Sequence, residues 1–223
     1  MSKQQDLQKQ QAAKKALDYI QTDTIVGIGT GSTVDFFIEE LVAIKHDLAG
    51  VVASSNRSKE KLLQHGFDVL DINSASHIDV YVDGADEVTH AGYAIKGGGG
   101  AQTLEKLVAS ISKSFICIVD ESKLVDRLGV EFPLALEVLP YARSYVGREC
   151  VKLGANPVYR DGFVTDCGNI ILDVYGLNYS DLSELNNILN NIVGVVGHGL
   201  FIKEKADKIL VASDDKVVVI DPR

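Results

Sequence analysis

Apolar residues recur along this chain in two alternating rhythms, and the alternation predicts a layered α/β fold. Over residues 6–20, Ala13, Ala16, Leu17 and Ile20 fall at helical spacing with Lys and Gln between them, which predicts an amphipathic helix. Residues 24–29 form a short β-rich run that breaks at Gly29-Thr30-Gly31-Ser32-Thr33 and passes into a helical pattern carrying Val34, Phe37, Ile38 and Leu41. The same unit repeats with a strand at 50–53, a Ser54-Ser55-Asn56 turn and cap, a helix over 59–65 and a strand at 68–70. Ile78, Val80 and Val82 alternate with Asp79 and Tyr81 in a strand that ends at Asp83-Gly84-Ala85-Asp86. Ile95 leads into Lys96 and four glycines, 101–111 reads as a helix, and 114–119 is a nearly all-apolar strand of the kind buried on both faces.

Beyond Pro133 the rhythm changes. Strands are expected at 134–138, 157–160, 163–165, 170–175 and 193–201, the last interrupted by Gly194, Gly197 and Gly199, with helices over 142–153 and from Asp181-Leu182-Ser183-Glu184, a capping-box-like start with Asp as cap. Strand, helix, strands, helix, strand is the order of a small split βαβ unit inserted in the larger one. The last apolar runs, 208–212 and 216–220, then return to the main sheet as a hairpin.

Three loops, 30–33, 83–86 and 120–123, follow the carboxyl ends of expected strands. In an open parallel sheet those ends share one edge, where ligands bind. Strand, glycine-hydroxyl turn and helix at 29–33 suit an anion, because glycine lets backbone amides face it and the helix start adds positive potential. The turn lacks the GK[ST] ending of a Walker loop and the third glycine of a dinucleotide fingerprint. The plainer alternative is that Ser32 or Thr33 merely caps a helix.

Composition narrows the ligand. A formal net charge of -9 argues against a broad grip on nucleic acid or an anionic membrane, while a local group of lysines still suits a small anionic substrate. The three cysteines, Cys117, Cys150 and Cys167, are widely spaced without a CxxC, so neither a metal site nor a disulfide framework is expected. No apolar run reaches the ~18 residues of a membrane helix, and the polar first residues lack the apolar segment of a signal peptide. The cytoplasm is the expected compartment.

The chemistry-bearing residues on the expected rim are Asp83, Asp86, Lys96, Glu105 and Lys123, with no histidine and no Ser-His pair among them. Carboxylates and ammonium groups suit proton abstraction beside a carbonyl: a carboxylate takes a proton from one carbon and returns it to the next, through an enediolate that Lys and amides stabilise. Glu105 stands in the first turns of a helix, where Leu104 and Leu107 are expected to shelter its stem and raise its pKa. Taken singly, Glu105 reads as a solvated helix glutamate and Lys96 with Asp83 as a surface ion pair; their joint occurrence on one rim favours a site. Lys9, on the polar side of the first helix, reads as a solvated charge.

Taken together, Gly29-Thr30-Gly31-Ser32-Thr33, Ala53-Ser54-Ser55, Asp83-Gly84-Ala85-Asp86-Glu87, Ile95-Lys96-Gly97-Gly98-Gly99, Glu105-Lys106 and Gly199-Leu200-Phe201 resemble the type A ribose-5-phosphate isomerases, from the first helix through Ile220. The resemblance implies interconversion of D-ribose 5-phosphate and D-ribulose 5-phosphate without metal or organic cofactor. It implies that Glu105 transfers the proton, that Asp83 opens the furanose ring, that Lys96 stabilises the oxyanion and that Asp86 binds sugar hydroxyls. It places Thr30, Gly31, Ser32 and Thr33 in the substrate loop, with Gly84, Ala85, Gly97, Gly98, Gly99 and Lys123 lining the pocket and Lys9 near the phosphate. The implied fold is a Rossmann-like open parallel sheet over 1–130 plus 204–223 with a smaller ferredoxin-like α+β unit over 131–203, in a homodimer or larger homo-oligomer. Partners beyond the phosphorylated pentose, such as nucleic acid or membrane, are not implied.

Three positions depart from the family's pattern: Leu104 stands for a common arginine, Cys167 for the usual asparagine of a turn, and Val193 for a common proline. None bears directly on the proton transfer. Two other readings share the fold: a non-catalytic sugar-phosphate sensor, expected to lack Glu105, and a CoA-transferase-like enzyme with Glu105 as nucleophile.

Overall fold

The apolar runs and glycine-rich breaks of the first half build a parallel sheet, because each strand is followed by a helix that carries the chain back across one face. The computed structural model of the protein describes residues 3–214 and 216–222, so Met1, Ser2, Asp215 and Arg223, all in the expected larger unit, lie outside the described residues. The first half runs α1 (Lys3–Ala16), β1 (Ile25–Ile28), α2 (Ser32–Leu41), β2 (Gly50–Ala53), α3 (Asn56–Gln64), β3 (Val80–Asp83), β4 (Glu87–Thr89), β5 (Ala94–Ile95), α4 (Gln102–Ser110), β6 (Phe115–Asp120) and β7 (Leu124–Val125). The second half adds β8 (Leu134–Val138), α5 (Arg143–Lys152), β9 (Asn156–Tyr159), β10 (Ile170–Tyr175), α6 (Leu182–Asn191), β11 (Val195–His198), β12 (Leu200–Phe201), β13 (Lys208–Ala212) and β14 (Val217–Ile220).

The main sheet has the order β14-β13-β6-β3-β1-β2 and is parallel except for the β13–β14 hairpin. One face packs Val26, Ile28, Val82, Ile116 and Ile118 against Ala12, Ala13 and Ala16 of α1 and Val34, Phe37, Ile38 and Leu41 of α2. The other face packs Tyr81, Phe115, Cys117 and Val119 with Val108 and Ala109 of α4. Covered on both sides, β6 is buried along its whole length, as its apolar run predicts. The inserted unit is an antiparallel sheet in the order β11-β8-β10-β9 with α5 and α6, the split βαβ arrangement expected from element order. Asp181 caps α6 by accepting from the Glu184 N–H at 2.9 Å.

A third sheet, β12-β5-β4-β7, was not legible in the sequence. Its strands are two or three residues long, too short to show an alternation. Three expected strands also change. Residues 68–70 supply only a single bridge, Val51 to Val69, before an Asp71-centred turn takes the chain away. Residues 163–165 are not a strand, because the Thr165 N–H and C=O are spent closing a turn with Asn169 and Gly168. The run 193–201 divides into β11 and β12, which belong to different sheets. Gly199 stands at the crossing: its carbonyl accepts from the Lys96 N–H at 2.9 Å, its own N–H donates to Ala135 O at 2.8 Å, and a Cβ there would overlap the Lys96 backbone.

Candidate active site

In the main sheet the chain runs outward from β1 to β2 and then returns to the other side of β1 with β3. The loops after β1 and β3 therefore diverge from the sheet's carboxyl edge, and a crevice opens between them. There a cleft of about 440 Å³ is lined by Lys9, Thr30, Gly31, Ser32, Thr33, Gly84, Ala85, Asp86, Lys96, Gly97, Gly98, Gly99, Glu105 and Lys123. Every residue expected on the rim is thus brought together, with Asp83 alone set beneath the lining. Asp120 and Ser122 of the expected 120–123 loop also border the cleft, as do Gln5 and Phe132, which carry no motif that would have marked them.

Under the glycine loop lies a buried charge cluster. Lys96 Nζ is 2.7 Å from Asp83 Oδ2 and 3.3 Å from Glu105 Oε2, and it donates to Gly84 O at 2.5 Å. Asp83 is fully buried, and its other contacts are donors: the N–H groups of Thr30 and Gly84 to Oδ1 at 3.0 and 2.7 Å, and the Tyr81 hydroxyl to Oδ2. This close seat requires glycine at position 29, where a Cβ would overlap the carboxylate. Burial raises the Tyr81 pKa well above its usual value, which keeps the hydroxyl a donor.

Glu105 Oε2 faces the ammonium but has no aligned hydrogen-bond donor. Burial, then the charge of Asp83, pushes its carboxyl up to about 8, against the opposing pull of Lys96. Burial by itself would lower Lys96, yet the Asp83 and Glu105 carboxylates more than reverse this and hold it charged. The solvated readings of Glu105 and Lys96 therefore fail. The expected shelter is also corrected: Leu107 is exposed, and the inward face of α4 is Gln102, Glu105, Val108 and Ala109. The next residue, Lys106, anchors the helix from behind, donating to Leu200 O at 2.8 Å and lying 3.2 Å from His198 Nδ1. Burial draws that ammonium down to about 8 and His198 down to about 3, so the imidazole is neutral.

The other part of the cleft brings together a helix start and a lysine, an arrangement that suits an anion. The N-cap of α2 is Gly31, at φ 116° and with no side-chain cap, so Ser32 and Thr33 begin the helix and neither closes it. Lys9, far from being a solvated charge, is buried and donates to Ser32 Oγ at 2.9 Å. Thr30 Oγ1 lies within 3.0 Å of Ser54 Oγ and 2.8 Å of Ser55 Oγ, tying the loop to the turn after β2. Asp86 accepts from the Gly98 N–H at 2.7 Å, and burial raises its pKa. Lys123, in the turn after β6, sits 5.6 Å from the Phe132 ring centroid. Among the described residues no group of three or more His, Cys, Asp and Glu side chains is arranged to hold a metal ion, and no helix is long and apolar enough to cross a membrane.

The family model for ribose 5-phosphate isomerase A (phosphoriboisomerase A) matches residues 50–216. A ribose-5-phosphate isomerase A of Legionella pneumophila (strain Corby) is 58% identical over 205 residues, 92% of this chain and 94% of the relative. Among solved structures, ribose 5 phosphate isomerase A from Neisseria gonorrhoeae superposes with a TM-score of 0.95 at 43% identity, covering 98% of each chain. The Methanocaldococcus jannaschii enzyme gives 0.92 at 36% identity over 97% of this chain and 99% of that one. A D-ribose-5-phosphate isomerase in complex with phospho-erythronic acid gives 0.91 at 33% identity over 97% and 98%. By sequence and by fold, the chain belongs to the ribose 5-phosphate isomerase A family.

Proposed function

We propose that Glu105, Lys96 and Asp83 carry out the isomerisation of D-ribose 5-phosphate to D-ribulose 5-phosphate in the cleft at the sheet's carboxyl edge. The reaction itself is that of the family, an aldose–ketose isomerisation in the pentose phosphate pathway. In our reading Glu105 takes the proton from C2 of the open-chain aldose, and the freed electron pair forms the C1–C2 double bond as negative charge moves to O1. Lys96 neutralises that charge. The proton then returns from Glu105 to C1, while the O2 proton passes to O1 and leaves a carbonyl at C2. One observation carries this reading: the carboxyl pushed up to about 8 lies against an ammonium held charged, both at the floor of one cleft. A base of that pKa is matched to neutral pH.

Asp83 is assigned the ring-hydroxyl proton. For this the substrate hydroxyl takes the place of a donor now on Oδ2, either Lys96 or Tyr81. Asp86 and the Gly97, Gly98 and Gly99 backbone bind the sugar, with Gly84, Ala85 and Lys123 completing the wall. Thr30, Gly31, Ser32, Thr33 and Lys9 hold the phosphate. Phospho-erythronic acid, bound by a relative, is a fitting probe of this cleft. The larger unit, 1–130 plus 204–223, and the smaller, 131–203, are proposed as domains of a cytoplasmic homodimer.

The test is formation of ribulose 5-phosphate from ribose 5-phosphate with chelator present, alongside Glu105→Gln. Turnover by the parent and its collapse in the variant, with phospho-erythronic acid still bound, is the expected result. Near-parental turnover in Glu105→Gln overturns the assignment.

A further inference from the structure

The glycine loop is also gripped from outside the cleft, by the inserted unit. Arg160 follows β9, and its guanidinium donates from Nε to Asp173 Oδ2 at 2.9 Å and from Nη2 to Asp173 Oδ1 at 2.5 Å. Two parallel bonds fix the plane of the fork. The remaining Nη1 then donates to the carbonyl oxygens of Gly97 at 3.1 Å and Gly98 at 3.2 Å. The guanidinium carbon lies 5.3 Å from the Phe163 ring centroid, and that ring occupies the space a Cβ on Gly100 would need. None of Arg160, Phe163 and Asp173 borders the cleft.

A trans peptide is flat, with its C=O and N–H pointing to opposite sides. The Gly97–Gly98 peptide is held at both ends, its carbonyl by Arg160 and its N–H by Asp86 Oδ2 at 2.7 Å. The Gly98–Gly99 peptide has its carbonyl on Arg160, so its N–H, on Gly99, points away from the guanidinium. Gly99 borders the cleft and Arg160 does not, so an N–H turned from the guanidinium is turned from the inserted unit. A cation on the carbonyl also polarises the peptide and strengthens its N–H as a donor. Four consecutive glycines could take many other conformations, so the grip selects one.

We propose that Arg160, braced by Asp173, is a positioning residue for the isomerisation: it fixes the Gly98–Gly99 peptide so that the Gly99 N–H donates to an oxygen on the carbon chain of the bound sugar phosphate. This rests on the cleft being the sugar-phosphate site. It also gives the inserted unit a catalytic duty, since the residue that aims the loop belongs to it.

The test compares Arg160→Lys, Arg160→Met and Asp173→Asn with the parent, in kcat/KM for ribose 5-phosphate and in inhibition by two probes. Phospho-erythronic acid spans the carbon chain; inorganic phosphate needs only the Lys9 and Ser32 end. Losing one aimed donor costs roughly 100-fold or more in comparable sites, and here about 10- to 100-fold is expected for Arg160→Met. Arg160→Lys keeps the charge but not the fork and should lose nearly as much, with Asp173→Asn losing less. In each variant phospho-erythronic acid should weaken in step with kcat/KM while phosphate inhibition stays within about twofold. Parental kcat/KM in folded Arg160→Lys and Asp173→Asn, or equal weakening of both probes, overturns the proposal. Should Arg160→Met fail to fold, the two milder variants decide it. Failure of the cleft assignment is read separately, as an active Glu105→Gln.

Discussion

Lys9 Nζ lies 2.9 Å from Ser32 Oγ, so an ammonium from α1 is set against the first residue of α2. The start of α2 has unpaired N–H groups and positive potential of its own, and a buried lysine there reinforces both. Lys9→Ala, and separately Ser32→Ala with Thr33→Ala, should raise KM for ribose 5-phosphate at least several-fold. Unphosphorylated ribose should be handled as poorly by these variants as by the parent. Initial rates on both sugars check this, and equal changes for both would place the phosphate elsewhere.

Glu105 predicts the pH dependence. Its carboxyl is pushed up to about 8, and the proposed base works only when deprotonated, so kcat/KM should climb with pH through about 8 and fall tenfold per unit on the acid side. Glu105→Gln should lower kcat by ~10²–10⁴-fold and remove that limb. The stability consequence has a definite sign. The folded pKa is raised above the usual 4.5, so the contribution is complete below 4.5 and is lost as pH rises through 8. The Tm of Glu105→Gln relative to the parent should therefore increase between pH 5 and pH 9. A constant difference would mean that Glu105 titrates normally.

Lys96 lies against two buried carboxyl groups at once. Lys96→Met strands Asp83, and removing one partner of a buried ion pair costs about 3–5 kcal/mol. Urea unfolding should show a loss of that order along with loss of activity. Glu105, already raised to about 8 and then relieved of the pull of Lys96, stays protonated at neutral pH, so adding Glu105→Gln should recover neither stability nor turnover. Substantial recovery of stability would mean that Glu105 carries a stranded charge.

The thiols should separate by exposure. Cys117 and Cys150 are buried, and burial pushes them up to about 12 and about 11, whereas Cys167 is exposed. Reaction follows accessible thiolate, so an aromatic disulfide reagent should titrate one thiol in the native protein and three in denaturant.

Much of this site was legible because strand ends converge by topology. Once β1, β3 and β6 were read as parallel, Ser32, Asp83 and Lys123 had to share an edge, whatever their separation in sequence. What escaped were contacts with no periodic trace. Lys9 lies on a helix whose polar side looks solvated, so periodicity gave no sign of it and only the family resemblance put it near the phosphate; the packing of α1 beside α2 and β6 buries it. Arg160 sits at the end of an ordinary edge strand and acts through one peptide group of another unit. Tyr81 alternates as a core residue should, so its hydroxyl on Asp83 was hidden by its own good fit. The split of 193–201 showed in the sequence only as glycine interruptions, and it is the bonds of Gly199 that divide the run between two sheets.

Those same bonds constrain how the enzyme could be recombined. Gly199 joins Ala135 of the inserted sheet to the backbone of Lys96, main chain to main chain. A chimaera that borrowed only this insert from a relative would also import the template on which Lys96 hangs. Such grafts should succeed or fail on the geometry of that one crossing, before any side chain in the borrowed part is considered.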